Sequence, residues 1–180
     1  MFFRYNILCM NEKILGTIRF TNGKKITFEL YPEVAPISVA NFVELVNDGF
    51  YDGLCFHRVI PSFMIQGGGM IAKGKKLAEK RIKETIKGEF ASNGVDNPLK
   101  HTAGVFSMAR TNVKDSATSQ FFICVSDVHF LDGEYAAFGK VADDESLAVA
   151  VAISKVETGS FEHHNDVPVI PIEIQTIEIN

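Results

Sequence analysis

The sequence predicts a mainly β protein, a barrel or sandwich of short strands covered by two helices. Short β-like runs bounded by turn residues recur along the chain, only two stretches carry a helical signature, and an Asn-Gly pair joins the first two runs. Those runs are Ile14 to Phe20 and Lys25 to Leu30. In the second, Ile26, Phe28 and Leu30 alternate with Lys25, Thr27 and Glu29, the period of a half-buried strand. Thr21-Asn22-Gly23-Lys24 reads as the hairpin turn, with Asn22 and Gly23 both tolerant of positive φ. Tyr31 to Pro36 breaks the strand, and Pro36 suits the first turn of a helix. Val39, Phe42, Val43 and Val46 then share one helical face, and Gly49 stops it.

Further strands are expected at Leu54 to Ile60, Phe63 to Gln66, Gly104 to Ala109, Phe121 to Val125 and Tyr135 to Val141. Asp143 or Asp144 can cap a second helix running through Leu147 to Ala152. Alternating isoleucines within Val169 to Ile179 give the last strand. No repeat, low-complexity tract or linker interrupts this pattern, so one domain over residues 1–180 is expected.

A chain that is 46% hydrophobic and 22% charged is not wholesale disordered. Its 18 basic and 22 acidic residues leave a net charge of −4, with no global pull toward nucleic acid or anionic membrane. Cys9, Cys55 and Cys124 are too widely spaced for a disulfide framework or a paired-cysteine zinc site, and suit a reducing compartment. Met1 to Met10 is apolar but broken by Arg4 and Asn6, and lacks the basic start and cleavage site of a signal peptide. No run approaches the roughly 20 apolar residues of a membrane span. A soluble cytoplasmic protein is the expectation, with Met1 and Met10 both open as starts. Fifteen Phe without a Trp imply a Phe-rich core or pocket.

Several local patterns suggest chemistry and fail on inspection. Gly69 to Lys76 nearly matches a phosphate-binding loop, but Lys76 stands where a Ser or Thr must hold magnesium, so a flexible Gly/Lys loop is expected. Lys73 to Lys87 is basic but carries no aromatic residue to stack bases, and reads as a solvated loop. Cys55 and His57 lack an orienting third group. His163 and His164 have no second ligand pair and read as a polar loop, with adjacent side chains pointing apart. His101 and His129 are single. No metal or cofactor is expected. Phe56 to Gly68 is different: strand alternation puts Arg58 on one face with Phe56 and Ile60, and Phe63, Met64 and Gln66 follow beyond a Pro61-Ser62 bend. On periodicity alone, an Arg at a sheet edge that packs its stem on apolar neighbours is the favoured explanation of that pattern.

Phe56 to Gly68 resembles the signature of the cyclophilin family of peptidyl-prolyl cis/trans isomerases. Gly104-Val105-Phe106-Ser107-Met108-Ala109-Arg110, Ser119-Gln120-Phe121-Phe122-Ile123, Phe130-Leu131-Asp132-Gly133 and Phe138-Gly139-Lys140-Val141 extend the likeness. Met108 to Thr111 and Ser116 to Thr118 resemble the bacterial branch. The resemblance implies a closed eight-stranded antiparallel β-barrel capped by two α-helices, acting on X-Pro bonds without a cofactor and assisting protein folding.

By the same resemblance Arg58 donates to the twisted amide, and Gln66 bonds the substrate backbone or supports Arg58. Phe63, Met64, Phe122 and Leu131 line the proline pocket, the Ala109-Arg110 backbone pairs with extended substrate, and Gln120 lies beside the pocket. Phe130 and Tyr135 stand where eukaryotic members carry Trp and His, and Arg110 replaces their Asn. An aromatic wall is kept, and weaker binding of the inhibitor cyclosporin is expected. Implied partners are proline-containing peptides and unfolded or folding proteins, bound by a monomer. The competing reading is a module that holds proline-containing segments without turnover.

Overall fold

The structure, a computed structural model, describes residues 12–180. Expectations placed on Met1 to Met10, Cys9 included, lie outside these residues. Strands β1 (Ile14–Phe20) and β2 (Lys25–Leu30) pair antiparallel with Ile18 opposite Ile26. Their turn differs from the expectation. Phe20 N donates to Lys24 O at 2.9 Å and Gly23 alone takes positive φ, at 84°, so the loop holds three residues. Asn22 contributes its side chain instead, accepting from Lys24 N at 3.0 Å. Helix α1 (Pro36–Asn47) buries Val39, Phe42, Val43 and Val46, as their spacing requires.

Then follow β3 (Cys55–Ile60), β4 (Met64–Lys73), β5 (Lys76–Glu79), β6 (Val105–Met108), β7 (Phe121–Cys124) and β8 (Ala137–Val141). Helix α2 (Asp144–Ser154) starts where Asp143 accepts from Ser146 N at 2.7 Å, an N-cap bond. It is followed by β9 (Thr158–Phe161), β10 (His164–Pro168) and β11 (Ile174–Ile179). Eight strands run in the order β11-β1-β2-β8-β6-β7-β4-β3, antiparallel throughout. The seam between β3 and β11 is narrow. One bridge, Cys55 to Glu173, and bonds from Phe56 N to Ile172 O (2.9 Å) and Ile174 N to Leu54 O (2.8 Å) join it, in place of a full ladder.

Three strands have no counterpart in the sequence reading. β5 turns the start of the supposed solvated loop, and the Gly/Lys loop that overlaps it, into a hairpin with β4 through Gly74 at φ 61°. Ile71 and Ala72 pair there with Ala78 and Leu77, an apolar alternation masked by the surrounding lysines. β9 and β10 likewise replace the expected polar loop with a hairpin.

The phenylalanines account for the interior. Phe42, carried by α1, meets Phe28, Tyr51, Phe121 and Phe138 at centroid separations of 5.2 to 5.9 Å, all of them tilted or edge-on. The helix start has its own brace. Ala35 offers no capping side chain, and buried Glu89 takes over, accepting from Ile37 N (2.9 Å), Ser38 N (2.8 Å) and Ser38 Oγ (2.7 Å). Removing it strands two N–H groups and a hydroxyl beneath the helix. Glu89→Ala should therefore lower the unfolding free energy by on the order of 3 kcal/mol, and Glu89→Gln by less, since one carbonyl oxygen remains. Urea titration reads both; an unchanged midpoint for Glu89→Ala would rule out the brace.

Candidate active site

Register builds the site. Across β3, β4, β7 and β6, Arg58 lies opposite Gln66, Gln66 opposite Phe122, and Phe122 opposite Ser107, one row on the outer face. Ile60, Met64 and Cys124 form a second row on that face. The intervening row, Val59, Ile65, Ile123 and Phe106, points into the barrel core. Phe56 departs from the expectation. It is buried in the core while Arg58 is exposed, because β3 advances two residues from Phe56 to Arg58 against one from Gly67 to Gln66 on β4. His57 is the extra residue, a bulge that reverses the facing.

Arg58 Nη1 makes a long contact of 3.5 Å to Gln66 Oε1, and Gln66 Nε2 donates to Gln120 Oε1 at 3.0 Å. Gly69 makes room for this relay, since a Cβ there would stand 2.6 Å from the Gln120 side chain. Beside the relay Met64, Phe122 and Leu131 are buried in one apolar cluster, with Phe63, Ala109 and Tyr135 packed against it. Phe63 stacks on Phe130 at 5.6 Å, and Phe130 itself is 71% exposed at the rim. Contacts and strand register thus connect the eleven residues singled out from the sequence along this outer face. Ala109 N–H already donates to Gln120 O at 3.0 Å, so the carbonyl of Ala109 and the N–H of Arg110 are the backbone groups left for an extended ligand. The Arg110 side chain turns to the chain's own carbonyls, donating to Glu134 O and Thr111 O.

Sequence reasoning passed over the support beneath Phe122. His101 stacks on that ring at 6.2 Å, and its two ring nitrogens meet Asp132 Oδ1 at 2.9 Å and Ser107 Oγ at 3.0 Å. Bonds from His101 and His129 hold the Asp132 carboxyl down at about 2, against the opposing effect of burial. Only the outward parity of Ser107 on β6 hinted at this group; His101 and Asp132 lie too far apart in the chain.

Cys55 and His57 form no catalytic pair. Burial pushes the thiol up to about 11 and the imidazole down to about 4, so neither can activate the other at neutral pH. The His163 and His164 rings do not diverge as expected but lie 4.1 Å apart across the β9–β10 turn. Among the described residues no cluster of three or more His, Cys, Asp or Glu side chains could hold a metal ion, and no helix is long and apolar enough to cross a membrane. The outer face offers the exposed Arg58 cation, a neutral amide relay and an apolar floor. Such a site can bind and polarise, and the hydroxyl of Ser107 and thiol of Cys124 on this face are wholly buried.

The family model described as cyclophilin type peptidyl-prolyl cis-trans isomerase/CLD matches residues 17–179. Peptidyl-prolyl cis-trans isomerase A of Dickeya dadantii (strain 3937) is 46% identical over 164 residues, covering 88% of this chain and 81% of that protein. Peptidyl-prolyl cis-trans isomerase B of Escherichia coli (strain K12) is 41% identical over 168 residues, covering 89% and 96%. A crystal structure of a Cryptosporidium parvum cyclophilin type peptidyl-prolyl cis-trans isomerase, in the presence of the dipeptide Ala-Pro, gives a TM-score of 0.72 at 28% identity over 92% of this chain and 98% of that one.

Acid should weaken the fold through His57. Its Nδ1 is buried without a hydrogen-bond partner, and burial, then His164 and Arg58, hold its pKa near 4, below the ordinary 6.5. Above pH 6.5 neither folded nor unfolded chain binds this proton. Between 6.5 and about 4 the unfolded chain binds it and the folded chain does not, so stability falls as pH falls, by on the order of 3 kcal/mol in all. Burial of His101 acts in the same direction. Urea midpoints across this range should slope less in His57→Gln; an identical slope would refute the assignment.

Proposed function

This chain belongs to the cyclophilin-type peptidyl-prolyl cis-trans isomerase family, and on that premise we propose how its outer face turns over X-Pro bonds. Such a bond rotates over a barrier of about 18–20 kcal/mol because amide resonance must be broken. Catalysis then requires tighter binding of the twisted amide than of either planar form. As the bond twists, the prolyl nitrogen regains a lone pair. Arg58 donates to it, and a permanently charged guanidinium needs no proton transfer to do so.

One observation carries this assignment. Arg19, Arg81 and Arg110 each lie near a carboxylate, whereas Arg58 lies beside the neutral amide of Gln66 at the edge of an apolar floor. Its charge stays available to a ligand. The proline ring packs on Phe63, Met64, Phe122 and Leu131, flanked by Phe130 and Tyr135. Gln66, braced by Gln120, orients Arg58, and the Ala109 carbonyl and Arg110 N–H pair with the substrate backbone. Clients are proline-containing segments of unfolded or folding proteins, met by a monomer in the cytoplasm; two free, buried cysteines, Cys55 and Cys124, support a reducing setting.

Arg58→Ala should lower kcat/KM by on the order of 10²–10³, the usual effect of losing one preorganised donor. Stability should barely change, because the side chain is exposed. A protease-coupled assay on an X-Pro peptide measures the first and urea titration the second; unaltered catalysis in the folded variant would sink the assignment. Activity should also persist in excess chelator.

Phe130 lacks the indole N–H of a Trp. A donor missing from a dehydrated contact costs about 1–3 kcal/mol, so cyclosporin should bind roughly 5- to 150-fold more weakly than to Trp-bearing members. Phe130→Trp should tighten cyclosporin binding, measured by calorimetry, while peptide kcat/KM stays nearly constant. Unchanged inhibitor affinity would discard the indole explanation.

A further inference from the structure

Arg110 differs from Arg58 in that each of its three guanidinium nitrogens already donates within the chain. Its Nε and Nη2 donate to Glu134 O at 3.1 and 2.8 Å, and its Nη1 donates to Thr111 O at 2.9 Å. The guanidinium is sandwiched between the rings of Phe90 and Tyr135, 4.9 and 4.7 Å from their centroids. Only 11% of the side chain is exposed. Tyr135 in turn meets Phe122 edge-on, at 5.8 Å and 81°.

We infer that Arg110 is a positioning residue: its guanidinium fixes Tyr135, and through Tyr135 the Phe122 ring that floors the proline pocket, without touching the substrate through its side chain. The inference rests on the reading of Phe122 given above. The physical reason lies in the planar fork. It bonds two carbonyls in its own plane while both faces stay free to stack on aromatic rings. One side chain thereby ties the segment after β6 to the turn before β8, the two backbone stretches that border the basin beside Phe122. A lysine ammonium has no plane and cannot do both.

Such a residue sets how well the pocket is preformed, so its loss should appear in KM rather than kcat. Arg110→Gln should raise KM for an X-Pro peptide roughly 3- to 30-fold, the range that corresponds to one partly desolvated cation–π contact, with kcat within about twofold. Arg110→Lys should not restore KM. The coupling to Tyr135 is the decisive readout. Arg110→Gln should raise KM as much in a Tyr135→Phe background, where the ring remains, as in the wild type. In a Tyr135→Leu background it should add less than about twofold. Melting temperatures identify folded variants, and if Arg110→Gln fails to fold the series is run with Arg110→Lys. Full additivity with Tyr135→Leu, or a fall in kcat at constant KM, would overturn the inference. Arg58→Ala in the same assay separates this failure from that of the underlying site. If Arg58→Ala lowers kcat/KM by on the order of 10²–10³ while Arg110→Gln leaves KM unchanged, the positioning role alone is wrong; if Arg58→Ala is fully active, the site itself is misread and the inference falls with it.

Discussion

One extra residue in β3 decides what faces the core and what faces outward. Strand side chains alternate, so without a bulge Phe56 and Arg58 would share a side. His57 absorbs one position, Phe56 enters the aromatic interior and Arg58 emerges on the outer row beside Gln66. The bulge also accounts for the buried imidazole with an unpartnered nitrogen, a cost carried by the fold to aim one guanidinium. The outward placement of Arg58 and the expected acid sensitivity come from the same local irregularity.

The rest of the barrel holds that irregularity still. The inner rows of β3, β4, β7 and β6 interlock with Phe42 of α1, and Glu89 secures the start of α1 where its own sequence supplies no cap. Because one face of these four strands is close-packed, the opposite face inherits fixed Cβ positions. Preorganisation of this kind is what stabilising a twisted amide demands, since a donor that had to search for its place would lose much of its benefit. Phe122 is confined in turn by His101 and Tyr135.

Two arginines show how surroundings divide a residue type into different tasks. Arg58 has a neutral neighbour and an open approach, and keeps its donors for a ligand. Arg110 lies between two rings and against two carbonyls, and its donors serve the chain. The wording of the chain assigns to the substrate the side chain of Arg58 but only the backbone of Arg110.

Local signals determined the first hairpin strands and both helices: alternation, a 3.6-residue stripe, a capping Asp. The Phe56-to-Gly68 wording also singled out Arg58, Phe63, Met64 and Gln66, which the fold brings together on the outer face. What periodicity could not carry is whatever depends on partners distant in sequence. The β-bulge at His57 is defined only by counting against β4, and the β4–β5 hairpin emerges only when Ile71 and Ala72 meet Ala78 and Leu77. Glu89 reaches α1 across 51 residues and His101 reaches Asp132 across 31, and no spacing rule links such pairs. Tertiary structure decided these points because hydrogen bonding and packing are satisfied in space, by whichever group the fold brings near, rather than along the chain.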